Sequence, residues 1–260
     1  LGRGTEQLEE RLVELLAEVQ RPDGQPARIA RIDADTTRAK GQLEAQLAEV
    51  HAGDVDVLVG TQMIAKGHDF RRDTLVAAVN PDSALFAADF RAPERLLALL
   101  MQAAGRAGRD VTSGQDSEMW VQSRQPRHPL FEALRRHDWP GFAASQLEER
   151  QQAGLPPFAY LALLRADART QQAAQAFLQA AAERVRSTGW TELEQVFIYA
   201  PVPMTMQRIA NVERAQMLIE SSDRLALLRL LQAWQPMLHE ERRRHRGLLR
   251  WLVDVDPQAI

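Results

Sequence analysis

Hydrophobic and polar positions in the first half of the chain follow two different periods. Apolar residues recur every three or four positions after Thr5, and this spacing predicts an amphipathic helix. Short apolar runs bounded by polar turn residues predict buried strands, which cover residues 28–32, 55–59, 75–79 and 119–121. Strands that alternate with helices at this spacing form right-handed βαβ units. The first half is therefore predicted to be an α/β lobe with a mostly parallel sheet.

The pattern changes after residue 125, where prolines interrupt the chain. A helical stretch spans roughly residues 130–152, and a glycine and proline segment at 154–157 follows it. The remaining sequence predicts a strand, a helix, two strands at 196–200 and 215–220, a helix and a final strand. This βαββαβ order is typical of a small α+β domain. The predicted parts are an α/β lobe at 1–125, a helical linker at 126–156 and an α+β domain at 157–260.

Composition narrows the possible classes of function. Hydrophobic residues make up 45% of the chain and charged residues 26%, as in a soluble globular protein. No apolar run reaches the roughly 18–20 residues that a transmembrane helix needs, and the charged first segment is not a signal peptide. We therefore expect a cytoplasmic protein with no membrane partner and, because the chain begins at Leu1, a piece of a longer polypeptide.

Charge and cysteine usage add two constraints. The net charge is −3, so any contact with nucleic acid must come from a local basic surface. The chain has no cysteine, which excludes disulfides, thiolate catalysis and cysteine zinc sites within it. No second histidine lies close enough in sequence to His68 to suggest a metal, so His68 is interpreted as a structural or interface residue and no metal site is expected.

The most informative motif is the segment 102–109, in which Gln102, Arg106 and Arg109 lie beside two glycines. Arginine presents a rigid, permanently charged fork to phosphate oxygens, and glycine lets a ligand approach the backbone closely. In phosphoryl transfer, an arginine supplied by a second lobe stabilises the charge on the γ-phosphoryl group. Arg106 and Arg109 are the candidates for that role, with Gln102 positioning the attacking water or touching the γ-phosphate. The alternative interpretation is a basic turn or helix end.

Four polar segments follow predicted strands or end a helix: 33–36, 60–69, 80–82 and the helix that leads to Arg109. Ligands in open α/β sheets bind at the carboxyl ends of strands. The four segments therefore predict one shared phosphate site.

Residues in the second of these segments are candidates for ligand contacts. Thr61 and Gln62, at the start of a short predicted helix, are placed to donate to a DNA phosphate, as is Lys66. Asp69 is placed to accept a hydrogen bond from the nucleotide ribose. The alternatives are that Thr61 is only an N-cap and that Lys66 is a solvated surface lysine.

Several carboxylates have a structural interpretation beside the functional one. Asp33 and Asp35 resemble a paired-carboxylate site, but the start of a helix with a salt bridge to Arg31 or Arg38 is the favoured alternative.

Two further sets of charged residues are also open to interpretation. Asp82 and Asp89 are interpreted as fixing the neighbourhood of Arg91 and Arg95. The acidic and then basic segment 240–246 is interpreted as a solvated turn, with a DNA-backbone patch as the alternative.

Segments 60–70 and 102–109 together resemble motifs V and VI of superfamily 2 helicases. A longer ordered set resembles the PriA family of bacterial primosomal proteins. The segments of this set are 4–9, 31–37, 60–70, 84–95, 102–109, 155–157 and 253–257. They run through almost the whole chain, and the 84–95 segment and the ending are more specific to this family than motif VI is.

The resemblance implies the C-terminal portion of an ATP-dependent 3′-to-5′ DNA helicase that restarts replication at stalled forks. It implies a RecA-like second lobe that begins after a zinc insertion, followed by a C-terminal domain. ATP contacts are implied at Gly67, Asp69 and Gly105, with ATP and Mg²⁺ shared with a first lobe and zinc held only in the upstream insertion. The implied partners are forked or single-stranded DNA, single-strand-binding protein and other primosome proteins, and a monomer is expected.

The sequence contains no G-x-x-x-x-G-K-[ST] phosphate loop and no D-E-x-[HD] segment, both of which a complete motor needs. The chain alone is therefore expected not to hydrolyse ATP. One alternative is a non-catalytic module that binds DNA or single-strand-binding protein. Another superfamily 2 motor, such as a translocase of the RecG kind, is disfavoured by the 89–95 segment and the ending. Residues 208–214 depart from the PriA pattern because they contain fewer glycines and aromatics.

Overall fold

The computed structural model describes residues 3–33, 36–37, 41–61, 74–87, 89–105, 117–209, 211–257 and 260. The chain divides into two compact units. The first comprises Leu1–Ala87 with Arg91–Phe142, and the second comprises Ala88–Phe90 with Ala143–Ile260. Within the described ranges, no helix has the length and apolar character required to cross a membrane.

The first unit opens with a helix and a βαβ arrangement. Its elements are α1 (Arg3–Leu15), β1 (Ile29–Ile32), α2 (Gln42–Ala52) and β2 (Val57–Gly60). The two strands pair in parallel, from Ile29 opposite Val57 to Ile32 opposite Gly60. Ile32 and Leu47 form a small buried core between the strands and α2. This is the βαβ unit that the hydrophobic pattern predicts.

A second parallel pair follows in the same unit. The elements are β3 (Leu75–Val79), a single-turn helix α3 (Asp82–Leu85), α4 (Ala92–Ala104), β4 (Glu118–Gln122), α5 (Pro129–Arg136) and the start of α6 (Trp139–Gln152), most of which belongs to the second unit. β3 pairs in parallel with β4 over five residues. Leucines from α3, α4 and α5 pack together with Phe131 and Phe142 to form the larger core of this unit. The predicted helical stretch between 126 and 156 is thus present as α5 and α6.

The prediction of one mostly parallel sheet is confirmed only for the direction of pairing. The described strands of the first unit form two separate two-stranded sheets, β1–β2 and β3–β4, and not a single sheet. Each pair has its own buried cluster, one around Ile32 and one around Leu97. Helices α1 and α2 pack against the first pair, and α3, α4 and α5 form the cluster beside the second pair.

The second unit is an antiparallel sheet with two helices. Its elements are β5 (Tyr160–Ala168), α7 (Gln171–Arg186), β6 (Val196–Ile198), β7 (Val202–Ile209), β8 (Val212–Ser221), α8 (Arg224–Arg244) and β9 (Leu248–Val255). The strand order is β6-β8-β5-β9, and β7 also pairs with β8. Phe177 of α7 and Trp234 of α8 are fully buried in the core beside Leu164 and Met217 of the sheet.

The predicted βαββαβ order is correct except for β7, which the sequence analysis missed. Prolines at 201 and 203 argue against a strand in the sequence, because proline cannot donate a backbone hydrogen bond. β7 pairs only with β8 among the named strands, so Pro203 needs no donor on its other side. Asn211, with φ of 66°, allows the reversal into β8, and its Oδ1 accepts a 2.7 Å hydrogen bond from Arg208.

The burial of Phe177 leads to a test of the second unit. Phe177→Ala is expected to lower the free energy of unfolding by about 3–5 kcal/mol, because it leaves a cavity in a fully packed core. Phe197→Ala is the matched control, since Phe177 is 0% exposed and Phe197 is 61% exposed. Urea denaturation measures both variants, and equal losses of stability would contradict the assigned core.

Candidate nucleotide and nucleic-acid sites

The β1–β2 pair brings two of the predicted segments to one edge. Ile32 lies opposite Gly60 at the end of the ladder. Asp33 and Thr61, the next residues, therefore both follow the carboxyl ends of their strands at the same edge of the sheet. This is the edge at which ligands bind in open α/β folds.

Asp33 is held in a structural network. It is 4% exposed. One carboxylate oxygen, Oδ2, accepts hydrogen bonds of 2.8 Å from Thr5 Oγ1 and from the Arg31 guanidinium. The other, Oδ1, accepts from the backbone N–H of Thr36 at 2.9 Å. The salt bridge to Arg31 is thus confirmed, and Asp33 joins α1 to the end of β1. Asp35 and Arg38 lie outside the described residues.

Thr61 is an exposed residue directly after β2, so its hydroxyl is accessible to a ligand. The other candidates of this segment, Gln62, Lys66, Gly67 and Asp69, lie outside the described residues, and their roles stay predictions.

The helix α4 positions the start of the second motif. Leu96, Leu97 and Leu100 are buried on one face of α4, whereas Gln102 is exposed near its carboxyl end. The helix ends at Gly105, whose N–H donates a 2.9 Å hydrogen bond to the Met101 carbonyl.

A side chain at Gly105 would require a small shift of the neighbouring backbone. A Cβ at this position would lie 3.3 Å from the Met101 carbonyl oxygen, a tighter approach than most side chains make. Arg106 and Arg109 lie outside the described residues, so the placement of their side chains stays a prediction.

Asp82 has a different role from the one the sequence suggested. Its carboxylate accepts hydrogen bonds from Ser123 Oγ at 2.6 Å and from the Arg124 backbone N–H at 2.9 Å. These bonds, with that from Arg124 the larger contribution, lower the pKa of Asp82 below its ordinary value. Asp82 therefore joins α3 to the end of β4, and the predicted role beside Arg91 and Arg95 is wrong for this carboxylate.

The segment 240–246 combines a paired acidic part with a basic part. Glu240 and the buried Glu241 form salt bridges with Arg184 of α7. Arg242, Arg243 and Arg246, in contrast, are exposed. The sequence analysis did not single out Arg184, because it lies more than fifty residues away from these glutamates in the chain.

Two family models match the chain. Residues 3–111 match the helicase conserved C-terminal domain, and residues 151–258 match the primosomal protein N C-terminal domain. The first match implies a RecA-like α/β lobe, which agrees with the parallel pairing of β1 with β2 and of β3 with β4. The first part of the chain therefore belongs to the class of helicase C-terminal domains. The predicted domain boundaries at 125 and 156 stay predictions.

Similar proteins are replication restart proteins PriA. The one from Haemophilus influenzae is 40% identical over 259 residues, which are 100% of this chain and 33% of that protein. The one from Synechocystis is 37% identical over 219 residues, 84% of this chain and 25% of that protein. The one from Chlamydia pneumoniae is 40% identical over 157 residues, 60% of this chain and 20% of that protein.

This chain belongs to the PriA family and corresponds to the C-terminal part of its members. It spans a third or less of the length of these relatives.

The contacts of Asp82 lead to a pH-dependent prediction. Asp82→Asn is expected to lower the urea midpoint of unfolding at pH 7. The amide keeps only one acceptor oxygen for the two donors, Ser123 Oγ and the Arg124 N–H, and the bond that remains is no longer assisted by charge. The pKa of Asp82 is lowered in the folded state, so its contribution is present above the ordinary aspartate pKa of about 3.9 and is lost as the pH falls through the folded-state pKa. The difference from the wild type should therefore shrink between pH 7 and about pH 3.

Asp54→Asn is the control for this measurement, because Asp54 is an exposed aspartate of the same unit. A midpoint difference for Asp82→Asn that stays constant with pH, or that Asp54→Asn reproduces, would show that the Asp82 carboxylate does not carry this connection.

Proposed function

We infer that the chain is the C-terminal part of an ATP-dependent 3′-to-5′ DNA helicase that restarts replication at stalled forks. The observation that carries this proposal is the match of residues 3–111 to the helicase conserved C-terminal domain, together with relatives that are replication restart proteins. The exposed Gln102 at the end of an anchored helix supports it, because this helix leads directly into the arginine segment.

In this proposal the chain supplies part of an ATP site. Arg106 and Arg109 act as arginine fingers on the γ-phosphate, and Gln102 orients the attacking water. Gly105, which ends this helix without a side chain, is proposed to let the phosphates approach the backbone closely. ATP, bound with Mg²⁺ by a first lobe, supplies the phosphoryl group that is transferred to water.

The same lobe is proposed to contact the sugar–phosphate backbone of DNA. Thr61, Gln62 and Lys66 are the candidates, and Thr61 is exposed at the edge where β1 and β2 end. Hydroxyl, amide and ammonium groups donate to phosphate oxygens without reading base sequence. This fits a motor that moves along DNA of any sequence. The proposed partners are forked or single-stranded DNA, single-strand-binding protein and other primosome proteins, in the cytoplasm.

The arginine fingers give the first prediction for the full-length protein. Arg106→Ala and Arg109→Ala are each expected to lower kcat for DNA-stimulated ATP hydrolysis by about 10³-fold or more, because the charge on the transferring phosphoryl group loses its partner. Arg135→Ala is the control, since Arg135 is a largely exposed arginine of α5 that pairs with Glu132. ATP hydrolysis unchanged in Arg106→Ala and Arg109→Ala would favour the non-catalytic binding module.

A further prediction follows from the division of the ATP site between this chain and a first lobe. The purified chain alone is expected to show no ATP hydrolysis above background, because the phosphate loop and the D-E-x-[HD] segment are absent from its sequence. Appreciable hydrolysis that survives Arg106→Ala would contradict the proposal.

The reading frame upstream of the Leu1 codon is expected to encode paired C-x-x-C motifs, a phosphate loop and a D-E-x-H segment. A start codon directly before Leu1 would instead favour the binding module.

A further inference from the structure

A cavity of about 410 Å³ lies at the carboxyl end of α8, where the chain turns into β9. Basic side chains dominate its lining. The lining residues are His239, Arg242, Arg243, His245, Arg246 and Leu248. The helicase motifs do not include this cavity, and it lies entirely within the second unit.

The spacing of the basic residues explains why they surround one cavity. His239 lies three and four positions before Arg242 and Arg243, which places the three side chains on one face of α8. Arg246 follows three positions after Arg243, in the turn beyond the helix. The His239 ring contacts Trp251 of β9 edge to face, with ring centroids 5.1 Å apart. The lining therefore comes from a helix end, a turn and the start of a strand.

The turn beside the cavity is held by close packing. The Gly247 carbonyl accepts a 3.0 Å hydrogen bond from the Arg169 N–H, which precedes α7. A Cβ at Gly247 would lie 3.1 Å from the Ala173 Cβ. The His245 ring contacts Phe177 edge to face at 5.8 Å. The cavity wall is therefore attached to the core of the second unit.

Nearby carboxylates do not neutralise the cavity. Glu240 pairs with Arg184, and this contact is the main reason that the pKa of Glu240 lies below its ordinary value. Glu241 is buried, accepts a hydrogen bond from Arg184, forms an ion pair with Arg244 and contacts His245, a residue of the cavity lining. The side chains of Arg184 and Arg244 thus balance the two carboxylates.

Three other arginines form no such pair with a carboxylate among the described residues. In the part of the chain that the structure describes, Arg242, Arg243 and Arg246 form no salt bridge with a carboxylate. Arg242 donates only to the Leu249 carbonyl, at 3.5 Å. The charge of Arg243 also lowers the pKa of Glu240, as a smaller contribution than the bond from Arg184. Three guanidinium groups without a salt-bridge partner among the described residues therefore line one cavity.

The helix dipole accounts for only part of this arrangement. Cations near a helix carboxyl end are favourable, which explains arginines at 242–244. The effect falls off within the last turn, so it does not explain Arg246 beyond the helix or a cavity between the basic side chains. An oxyanion in the cavity explains both, because arginine forks bind phosphate oxygens in pairs.

We propose that this cavity binds backbone phosphates of a nucleic-acid strand, with Arg243 and Arg246 as the main contacts. The nucleic-acid class rests on the proposed function, whereas the affinity for a phosphate rests on the cavity itself. Contacts of this kind bind the sugar–phosphate backbone and do not read sequence. They also give a −3 protein a local positive surface for DNA.

The test measures binding of the whole chain to fluorescein-labelled oligo(dT) by anisotropy over a range of salt concentrations. The variants are Arg243→Gln and Arg246→Gln. Arg229→Gln is the matched control, because Arg229 is an exposed arginine of the same helix, about 21 Å from Arg243 along the helix axis. Each cavity variant is expected to weaken binding and to lower the slope of log K against log salt by about 0.7, the share of one single-strand phosphate contact. The control should keep the wild-type slope.

Two competitors distinguish the sources of the anion. Inorganic phosphate, which fills the cavity one ion at a time, should displace oligo(dT) less well than unlabelled oligo(dT) does at equal phosphate concentration. Polyglutamate should also displace it less well than unlabelled oligo(dT) at equal charge concentration. Inorganic phosphate that competes as well as unlabelled oligo(dT) would assign a free-anion site, and polyglutamate that does so would assign an acidic protein partner; either result overturns the proposal.

Equal slopes for the wild type and both cavity variants, or no oligo(dT) binding by the wild type, would also overturn the cavity assignment. None of these outcomes bears on the arginine fingers, which the ATP hydrolysis of Arg106→Ala tests separately. Failure of one proposal is therefore distinguishable from failure of the other.

Discussion

Burial of one face of α4 is the constraint on which the proposed ATP contacts depend. Leu96, Leu97 and Leu100 are almost fully buried, and this fixes both the rotation and the axial position of the helix. Gln102, about half a turn after Leu100, then has to emerge on the exposed side. None of these leucines needs to touch a ligand. Their packing positions Gln102, the group proposed to touch the ligand, and a site that starts from a packed helix is held more firmly than one built only on a loop.

Elements with a strong local period were predictable from the sequence. The leucine spacing of α4, the apolar run of β2 and the two helices of the second unit all have the predicted type. The number of sheets was not predictable in this way, because it depends on which distant strands exchange hydrogen bonds. The same limit applies to β7, whose prolines argue against a strand until its pairing with β8 alone is known.

Long-range partners also decided what the sequence left open about the sites. The sequence predicts a salt bridge from Asp33 to Arg31, which the structure confirms, but it gives no sign of the hydrogen bond from Thr5, which lies 28 positions away. Asp82 contacts residues 41 and 42 positions further along the chain. A carboxylate looks the same in a sequence whether it faces a ligand or a backbone N–H. Only the fold supplies its partner. The sequence therefore shows where a carboxylate lies in the chain but not which role it has.

The arginines of this chain fall into two groups, those that form a salt bridge with a carboxylate and those that do not. Arginine is always charged, so its role depends on whether a carboxylate already satisfies it. Arg31, Arg165 and Arg184 are only partly exposed and are paired with carboxylates, so they hold elements together. Arg243 and Arg246 are exposed and have no carboxylate among the described residues.

The net charge of the chain counts both groups together. Because it is slightly negative, it does not indicate a basic surface. Arg184 and Arg244, which do not line the cavity, pair with the two glutamates that precede the basic segment. Folding, and not composition, therefore creates the local excess of positive charge that a phosphate backbone requires.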